Sequence, residues 1–431
     1  MKVVFIIEQP EILRKLINPD EPNPGFGGTS FTAIRLAVEI NKSLNSSLDN
    51  LEIFLGTESF ITKNYNGIPV VDLSESYLSF DIAIVTGGIL DKLINKKLKI
   101  NAQKFISWIR HPYDQDKFKK SKLLNAEVVS VGKAQYISNI LIGGVAKHHH
   151  IDNLFDAKRI RKAINFNFED FFNKRKEIDK KEIKIGYMGA LIQSKGFHHI
   201  AENWRGIKKD VEKLGYKATL EVIGGAKLYG FIENHKNLPC EKIYGDKISF
   251  LLSDEINSSV KFHGTLGLER YSIMQKCDLA IINPNGDGEA FPATILEWLS
   301  LGVPTISSLN YGCGDVMSFL PSMVISNKHE IKNKVLSYIK ASPERKLNLT
   351  KQALYISNLY TSNQQCIIEK WKFLLQKDSS NLLVNEYLNL RIYKLLILKY
   401  LQFIYLNLKV FSFKKLRFLK PLKKLFYNKG R

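Results

Sequence analysis

Along the first 150 residues, short apolar runs alternate with stretches in which apolar residues recur every three or four positions. KVVFII (2–7), LEIFLG (51–56), FDIAIVTGG (80–88), KFISWIRHPYD (104–114) and AEVVSVG (126–132) predict strands, the fourth ending at His111. TSFTAIRLAVEINKSL (29–44) predicts a helix capped by Thr29 or Ser30, and KAQYISNILIG (133–143) a second helix. The rhythm restarts at IKIGYMGAL (183–191). It runs through a helix near 196–214, ATLEVIGG (218–225), VKFHGTL (260–266), a helix near 267–276, CDLAIINP (277–284) and PTISS (304–308). Alternating strands and helices of this length build parallel sheets covered on both faces. The predicted class is α/β: two doubly wound Rossmann-like domains facing a cleft, plus a basic helical C-terminal tail. The expected divisions are 1–160, 183–349, a closing helix at 350–377 and a tail at 378–431. Residues 156–182 read as charged and irregular, with NKRKEIDKKE (173–182) as linker.

In open α/β sheets, ligands sit beyond the carboxyl ends of the strands. His111, Gly189, Gly224, Gly264, Pro284 and Glu289 all fall at or just after predicted strand ends. Two further stretches share that position. GFGGTS (25–30) is a glycine loop opening onto a helix. In GDGEAFPATILEWLSLGVP (286–304), Pro292 suits the first helical position, having no N–H to leave unpaired, and Gly302 and Pro304 end the helix. Glu289 then precedes the helix and Glu297 lies about a turn and a half inside it. The helix start between them offers free N–H groups to an anion. Two acceptor carboxylates flanking an anion site suit a ligand with hydroxyls at both ends and phosphate between.

Composition narrows the classes. The chain has 431 residues, long enough for two domains, and 45% hydrophobic residues, enough for sizeable cores. Its four cysteines lie far apart without metal-ligand spacing and read as reduced thiols. MKVVFIIEQP reads as a buried first strand rather than a signal peptide, and no apolar run reaches the roughly 18 residues of a membrane span. His148, His149 and His150 invite a metal, but adjacent histidines converge poorly on one ion and no carboxylate flanks them closely. No Asp-x-Asp stands at a matching strand end, so no metal or other cofactor is expected.

GYMGALIQSKGF, EVIGG, VKFHGTLGLERYSIMQKCDLAIINP and EAFPATILEWLSLGVPTIS, taken in order, resemble the donor domain of GT-B glycosyltransferases of the large retaining family 4. The resemblance covers roughly 183–320. The first half matches more loosely, through GFGGTS and His111, and the tail lies outside it. It implies a retaining hexosyltransferase using a nucleotide sugar, with 1–160 on the acceptor side and 183–349 holding the donor. It implies that Glu289 faces the sugar hydroxyls and that Glu297 accepts from the ribose hydroxyls. Phe291 and Pro292 would bring backbone close to sugar and phosphate, and Lys195 would neutralise the diphosphate. Gly27 and Gly28 would let backbone N–H groups reach the phosphates, and His111 would stand near the reacting sugar. One position departs: Ala190 stands where the family has an arginine, with Arg110, Lys227 and Arg270 as candidate substitutes. A nucleotide-sugar epimerase or hydrolase, or a non-catalytic binding protein, would use the same scaffold.

Net charge is +21, and from Arg391 to Arg431 the chain carries Lys and Arg without one acid. At about 100° per residue, Arg391, Lys394, Lys399, Gln402 and Lys409 fall within one broad polar face, with Asn407 as the exception, and Tyr393, Tyr400, Phe403, Tyr405 and Phe411 add interface-seeking aromatics. This pattern predicts an in-plane anchor on an anionic membrane, placing the protein in the cytoplasm on the inner face of the cell membrane, near a glycan or lipid-linked acceptor of cell-surface polysaccharide or lipopolysaccharide synthesis; a helix packed on the protein's own surface or on a dimer partner is the alternative. No nucleic-acid-binding module is recognisable, and nucleic acid is not an expected partner.

Overall fold

The computed structural model describes residues 1–16, 18–44, 50–59, 62–75, 77–86, 88–111, 115–143, 147–176, 181–227 and 238–376. The predicted tail anchor lies outside these residues.

Eight strands form the first sheet: β1 (Lys2–Ile6), β2 (Glu52–Thr57), β3 (Asn64–Tyr65), β4 (Ile68–Asp72), β5 (Leu78–Thr86), β6 (Ile100–Ile109), β7 (Glu127–Ser130) and β8 (His148–His150). Their spatial order is β3-β4-β2-β1-β5-β6-β7-β8, and only the short β3–β4 hairpin is antiparallel. The second sheet holds β9 (Glu182–Met188), β10 (Lys217–Ile223), β11 (Val260–Gly264), β12 (Leu279–Ile281) and β13 (Thr305–Ile306), all parallel, in the order β11-β10-β9-β12-β13. Each sheet reverses its winding once, beside β1 in the first and beside β9 in the second. The crevices of a doubly wound sheet open at those reversals. Central strands are apolar at most positions because both faces are covered: Val3, Val4, Phe5 and Ile6 are buried, as are Ile183, Ile185 and Tyr187. Gly186 in β9 leaves room for the Trp298 indole, since a Cβ there would stand 2.1 Å from a ring carbon.

Several boundaries differ from the sequence reading. The helix expected from Thr29 starts at Gly28, so Thr29 and Ser30 lie in its first turn. The Ser30 hydroxyl instead accepts from the Gln9 N–H at 3.2 Å, tying the helix to the end of β1. β6 stops at Ile109, leaving His111 beyond the strand. The stretch read as irregular contains helices Ala157–Ala163 and Phe168–Lys176. Asp156 starts the first by accepting from the N–H groups of Lys158 and Arg159. The helix expected over 267–276 is only Arg270–Met274. The single closing helix is two, Pro343–Ser362 and Gln364–Gln376. The adjacent histidines form edge strand β8 and turn to separate partners: His148 stacks on Phe118, His149 meets Glu127 at 2.9 Å, and His150 meets at 2.9 Å Asp152, a flanking carboxylate only two positions on that the sequence reading passed over.

Residues Met1–Leu375 form one compact unit. The closing helices return to the first sheet. Trp371 packs edge-on against Trp108 of β6 with ring centroids 4.9 Å apart, the Lys104 ammonium donates to the Leu374 carbonyl at 3.2 Å, and Arg35 donates to Gln364 at 2.7 Å. A second seam joins helix Lys133–Gly143 to helix Cys313–Met317, where the Ala134 N–H donates to the Asp315 carboxylate at 3.3 Å.

Candidate functional site

Both sets of strand ends open onto one cavity of about 440 Å³. The first half contributes Glu8 and Gln9 after β1, the 23–30 loop, and Arg110 and His111 after β6. The second half contributes Met188–Ala190 after β9, Gly224 after β10, Thr265 after β11 and Asn283 after β12, with Lys195, Glu289, Phe291 and Glu297. Among the expected site residues, Gly27, Gly28, His111, Lys195, Glu289, Phe291 and Glu297 line this cavity. Pro292 does not. It sits one position before helix Ala293–Ser300 with φ −83° and ψ 61°, buried, rather than as the first helical residue.

The glycine loop is held by Asn23. Its Oδ1 accepts from the N–H groups of Gly25 and Phe26 at 3.0 and 2.8 Å, and its Nδ2 donates to the Phe26 carbonyl at 2.9 Å. This closed turn sets Gly27 against the Gln9 side chain, where a Cβ would come within 2.8 Å of Oε1. Gly28 faces open space and begins a seventeen-residue helix. The starts of that helix and of helix Ala293–Ser300 therefore lie at the same cavity; the Ala293 N–H is taken by the Phe291 carbonyl at 2.9 Å, and the positive ends of the two helices favour negative charge there.

Lys195 and Glu289 meet each other. The ammonium donates to Oε2 at 3.2 Å, and both side chains are less than one-fifth exposed. Sequence reading placed them on different parts of a ligand and did not anticipate this pair. Glu297 is held by Arg270, whose Nε donates to its Oε2 at 3.3 Å. Arg270 is 5% exposed and also donates at 2.7 Å to the carbonyls of Asn23 and Gly267, with Tyr271 OH at 2.5 Å. It thus fastens the loop of the first half to the carboxylate of the second. Burial opposes its charge, but Glu297 and Tyr271 overcome this and raise its pKa. Lys227 is exposed and absent from the cavity lining.

His111 is exposed at the cavity, yet desolvation by the surrounding walls, then the Lys195 charge, lowers its pKa below the usual imidazole value. The ring is therefore neutral at physiological pH, and can donate from one nitrogen while accepting at the other. Glu8 was not singled out by sequence. Its Oε1 accepts from the Thr86 hydroxyl and from the Gly88 N–H at 3.2 Å, fixing a carboxylate at the cavity wall. Its place immediately after the first strand was the available signal. Among the described residues, His198, His199 and Glu202 form one metal-capable cluster. It carries no expected site residue, and Lys328 already binds Glu202 at 2.8 Å.

Residues 168–354 match the family model described as glycosyl transferases group 1. Among solved structures, the chain is similar to Anabaena Alr3699/HepE, solved in complex with UDP-glucose, at 16% identity and a TM-score of 0.58, covering 86% of this chain and 99% of that one. It is also similar to a glycosyltransferase from Rickettsia africae at 11% identity and a TM-score of 0.56, covering 88% and 99%. A third likeness is WaaG, a glycosyltransferase involved in lipopolysaccharide biosynthesis, at 11% identity and a TM-score of 0.55, covering 87% and 99%. No curated protein matches the chain. The chain accordingly has the GT-B fold, two Rossmann-like sheets whose strand ends face one cavity, and its second half matches the glycosyl transferases group 1.

Proposed function

We propose that the protein is a glycosyltransferase moving a hexosyl unit from a nucleotide sugar to a hydroxyl of a glycan or lipid-linked glycan, with retention at the anomeric carbon. One observation carries this reading: Lys195, Glu289 and Glu297 of one sheet and Gly27, Gly28 and His111 of the other line the same cavity. In the reaction, the bond from the anomeric carbon to the diphosphate oxygen breaks and its electron pair leaves with the diphosphate, while the acceptor hydroxyl oxygen bonds to the same carbon and gives its proton to the departing diphosphate oxygen. Lys195 and the two helix starts offset that growing charge. Glu289 accepts from the sugar hydroxyls, and the carboxylate of Glu297, held by Arg270, accepts from the ribose. A donor diphosphate therefore competes with Glu289 for Lys195. His111, neutral, takes a hydrogen bond beside the reacting sugar. No metal is assigned to the reaction.

The similarity to Alr3699/HepE, crystallised with UDP-glucose, supports a nucleotide sugar as donor class, and the similarity to WaaG supports a cell-surface glycan as acceptor class. The test is a thermal-shift panel of UDP-, GDP- and ADP-sugars, then transfer assays with and without EDTA. We expect one donor to raise the melting temperature and transfer to survive the chelator. A ligand at 100 times its Kd stabilises by about 2.7 kcal/mol. No shift with any nucleotide sugar would reject the reading. Free sugar or an epimer without acceptor would indicate hydrolysis or epimerisation, and loss of activity restored by magnesium would overturn the metal-free mechanism.

The location proposed is the cytoplasmic face of an anionic membrane. No helix among the described residues is long and apolar enough to cross a membrane. The proposal rests on the basic, aromatic-rich sequence of 391–431. Deleting 382–431 should leave donor binding intact and abolish sedimentation with phosphatidylglycerol vesicles. Equal vesicle binding by both forms would exclude the anchor.

A further inference from the structure

Among the described residues three cations line the cavity, and two are already matched to carboxylates: Lys195 to Glu289 and Arg270 to Glu297. Arg110 differs. Its guanidinium carbon lies over the Trp108 ring, 3.7 Å from the centroid, and its one hydrogen bond among the described residues is a long one, from Nη1 to the Gly28 carbonyl at 3.5 Å. Its Nε and Nη2 are buried and have no hydrogen-bond partner among the described residues. Stacking on Trp108 orients the fork but satisfies none of its N–H groups. Guanidinium donors prefer planar, bidentate oxygen acceptors, phosphate above all. A buried donor left unmatched is costly, so sites that keep one tend to use it. Burial pushes the Arg110 pKa down to about 9, and Glu8 counteracts this, so the group stays charged at neutral pH.

The position of Arg110 supplies the second half of the argument. It meets the carbonyl of Gly28, the first residue of the helix whose free N–H groups open onto the cavity. Across the same cavity stands Ala190, at the end of β9, a methyl group with no charge to offer. The second half thus presents Lys195 without a neighbouring arginine in that loop.

We propose that Arg110 is the second diphosphate-binding cation of the site, so that the phosphate charge is shared between Lys195 of one half and Arg110 of the other. This rests on the nucleotide-sugar reading above and deepens it. Phosphate binding then bridges the halves directly: neither half alone carries both cations. Arg110 is a binding residue for the donor, and its loss is felt by the phosphates and not by the base or ribose.

The experiment measures Kd by calorimetry for UDP, GDP and ADP and for uridine, guanosine and adenosine, on wild type, Arg110→Gln, Arg110→Lys and Arg110→Gln combined with Ala190→Arg. For the nucleoside diphosphate that wild type binds, Arg110→Gln should weaken binding about tenfold or more, the size expected for charge-assisted hydrogen bonds, while its nucleoside changes less than about twofold. Arg110→Lys should lie between, keeping the charge but losing the fork. Ala190→Arg should restore much of the diphosphate affinity in the Arg110→Gln background, which a structural defect would not permit. Equal weakening toward nucleoside and diphosphate, or no weakening toward either, overturns the assignment. Failure of wild type to bind any nucleoside diphosphate overturns the donor reading itself, and this inference with it.

Discussion

Glu289→Gln is expected to lower kcat by about two to three orders of magnitude, the loss typical of one group matched to a transition state. The substitution keeps the shape and removes the charge. Two consequences follow from the 3.2 Å contact with Lys195. The amide no longer accepts from a sugar hydroxyl as a carboxylate does. It also no longer holds Lys195, which becomes freer to bind phosphate. Nucleoside diphosphate affinity should therefore be unchanged or tighter while turnover collapses. Lys195→Ala should also slow chemistry, but with weaker diphosphate binding, because its partner charge grows as the diphosphate departs. Steady-state kinetics with calorimetry separates these outcomes, and near-ultraviolet circular dichroism checks the fold. Turnover close to wild type in both variants would remove the two residues from the site.

Arg270→Met is expected to cost about 3 kcal/mol of stability, the lower end of the range for breaking a buried ion pair, because Glu297 keeps some contact with solvent. The methionine fills similar volume but leaves four acceptors unmatched: the Glu297 carboxylate, the carbonyls of Asn23 and Gly267, and the Tyr271 hydroxyl. Since Asn23 closes the glycine turn, the defect should reach donor binding as well as folding. Urea denaturation measures the first and donor Kd the second. Combining Arg270→Met with Glu297→Gln should recover part of the stability, because the stranded charge is gone, without recovering donor affinity. A stability change under about 0.5 kcal/mol would mean that Arg270 does not act as the fastener between loop and helix.

The alternation of apolar runs and helical spacing was enough to read the doubly wound sheets, because central parallel strands are apolar on both faces and leave a strong signature. Weak signals failed where the structure depends on distant partners. β3 and β4 are short, and β4 exposes Pro69. β8 reads as a histidine run because its burial comes from Phe118 and Glu127, far away in sequence. The helix at 157–163 and the start of the helix at 343–362 had local signals that the charged composition hid: Asp156 and Ser342 are ordinary N-caps, the second followed by proline at the first position. In the site, the residues attached to glycine loops and strand ends were readable. Their pairing was not. Nothing in sequence spacing says that Lys195 reaches Glu289, 94 positions away, or that Arg270 reaches Asn23, 247 positions away. Arg110 was visible as a basic residue at a strand end, but its unmatched donors follow from Trp108 and from burial.

The return of the last described helix to β6 has a consequence for synthesis. Trp371 and Trp108, both almost wholly buried, complete one another's packing across most of the chain length. On the ribosome, β6 is made long before its covering helix exists. The Trp108 face then stays open to water, or to chaperones, while the entire second half is translated. Domains that fold as they emerge can finish one at a time. By this geometry the first half keeps one face of β6 incompletely covered until the chain beyond Trp371 has emerged.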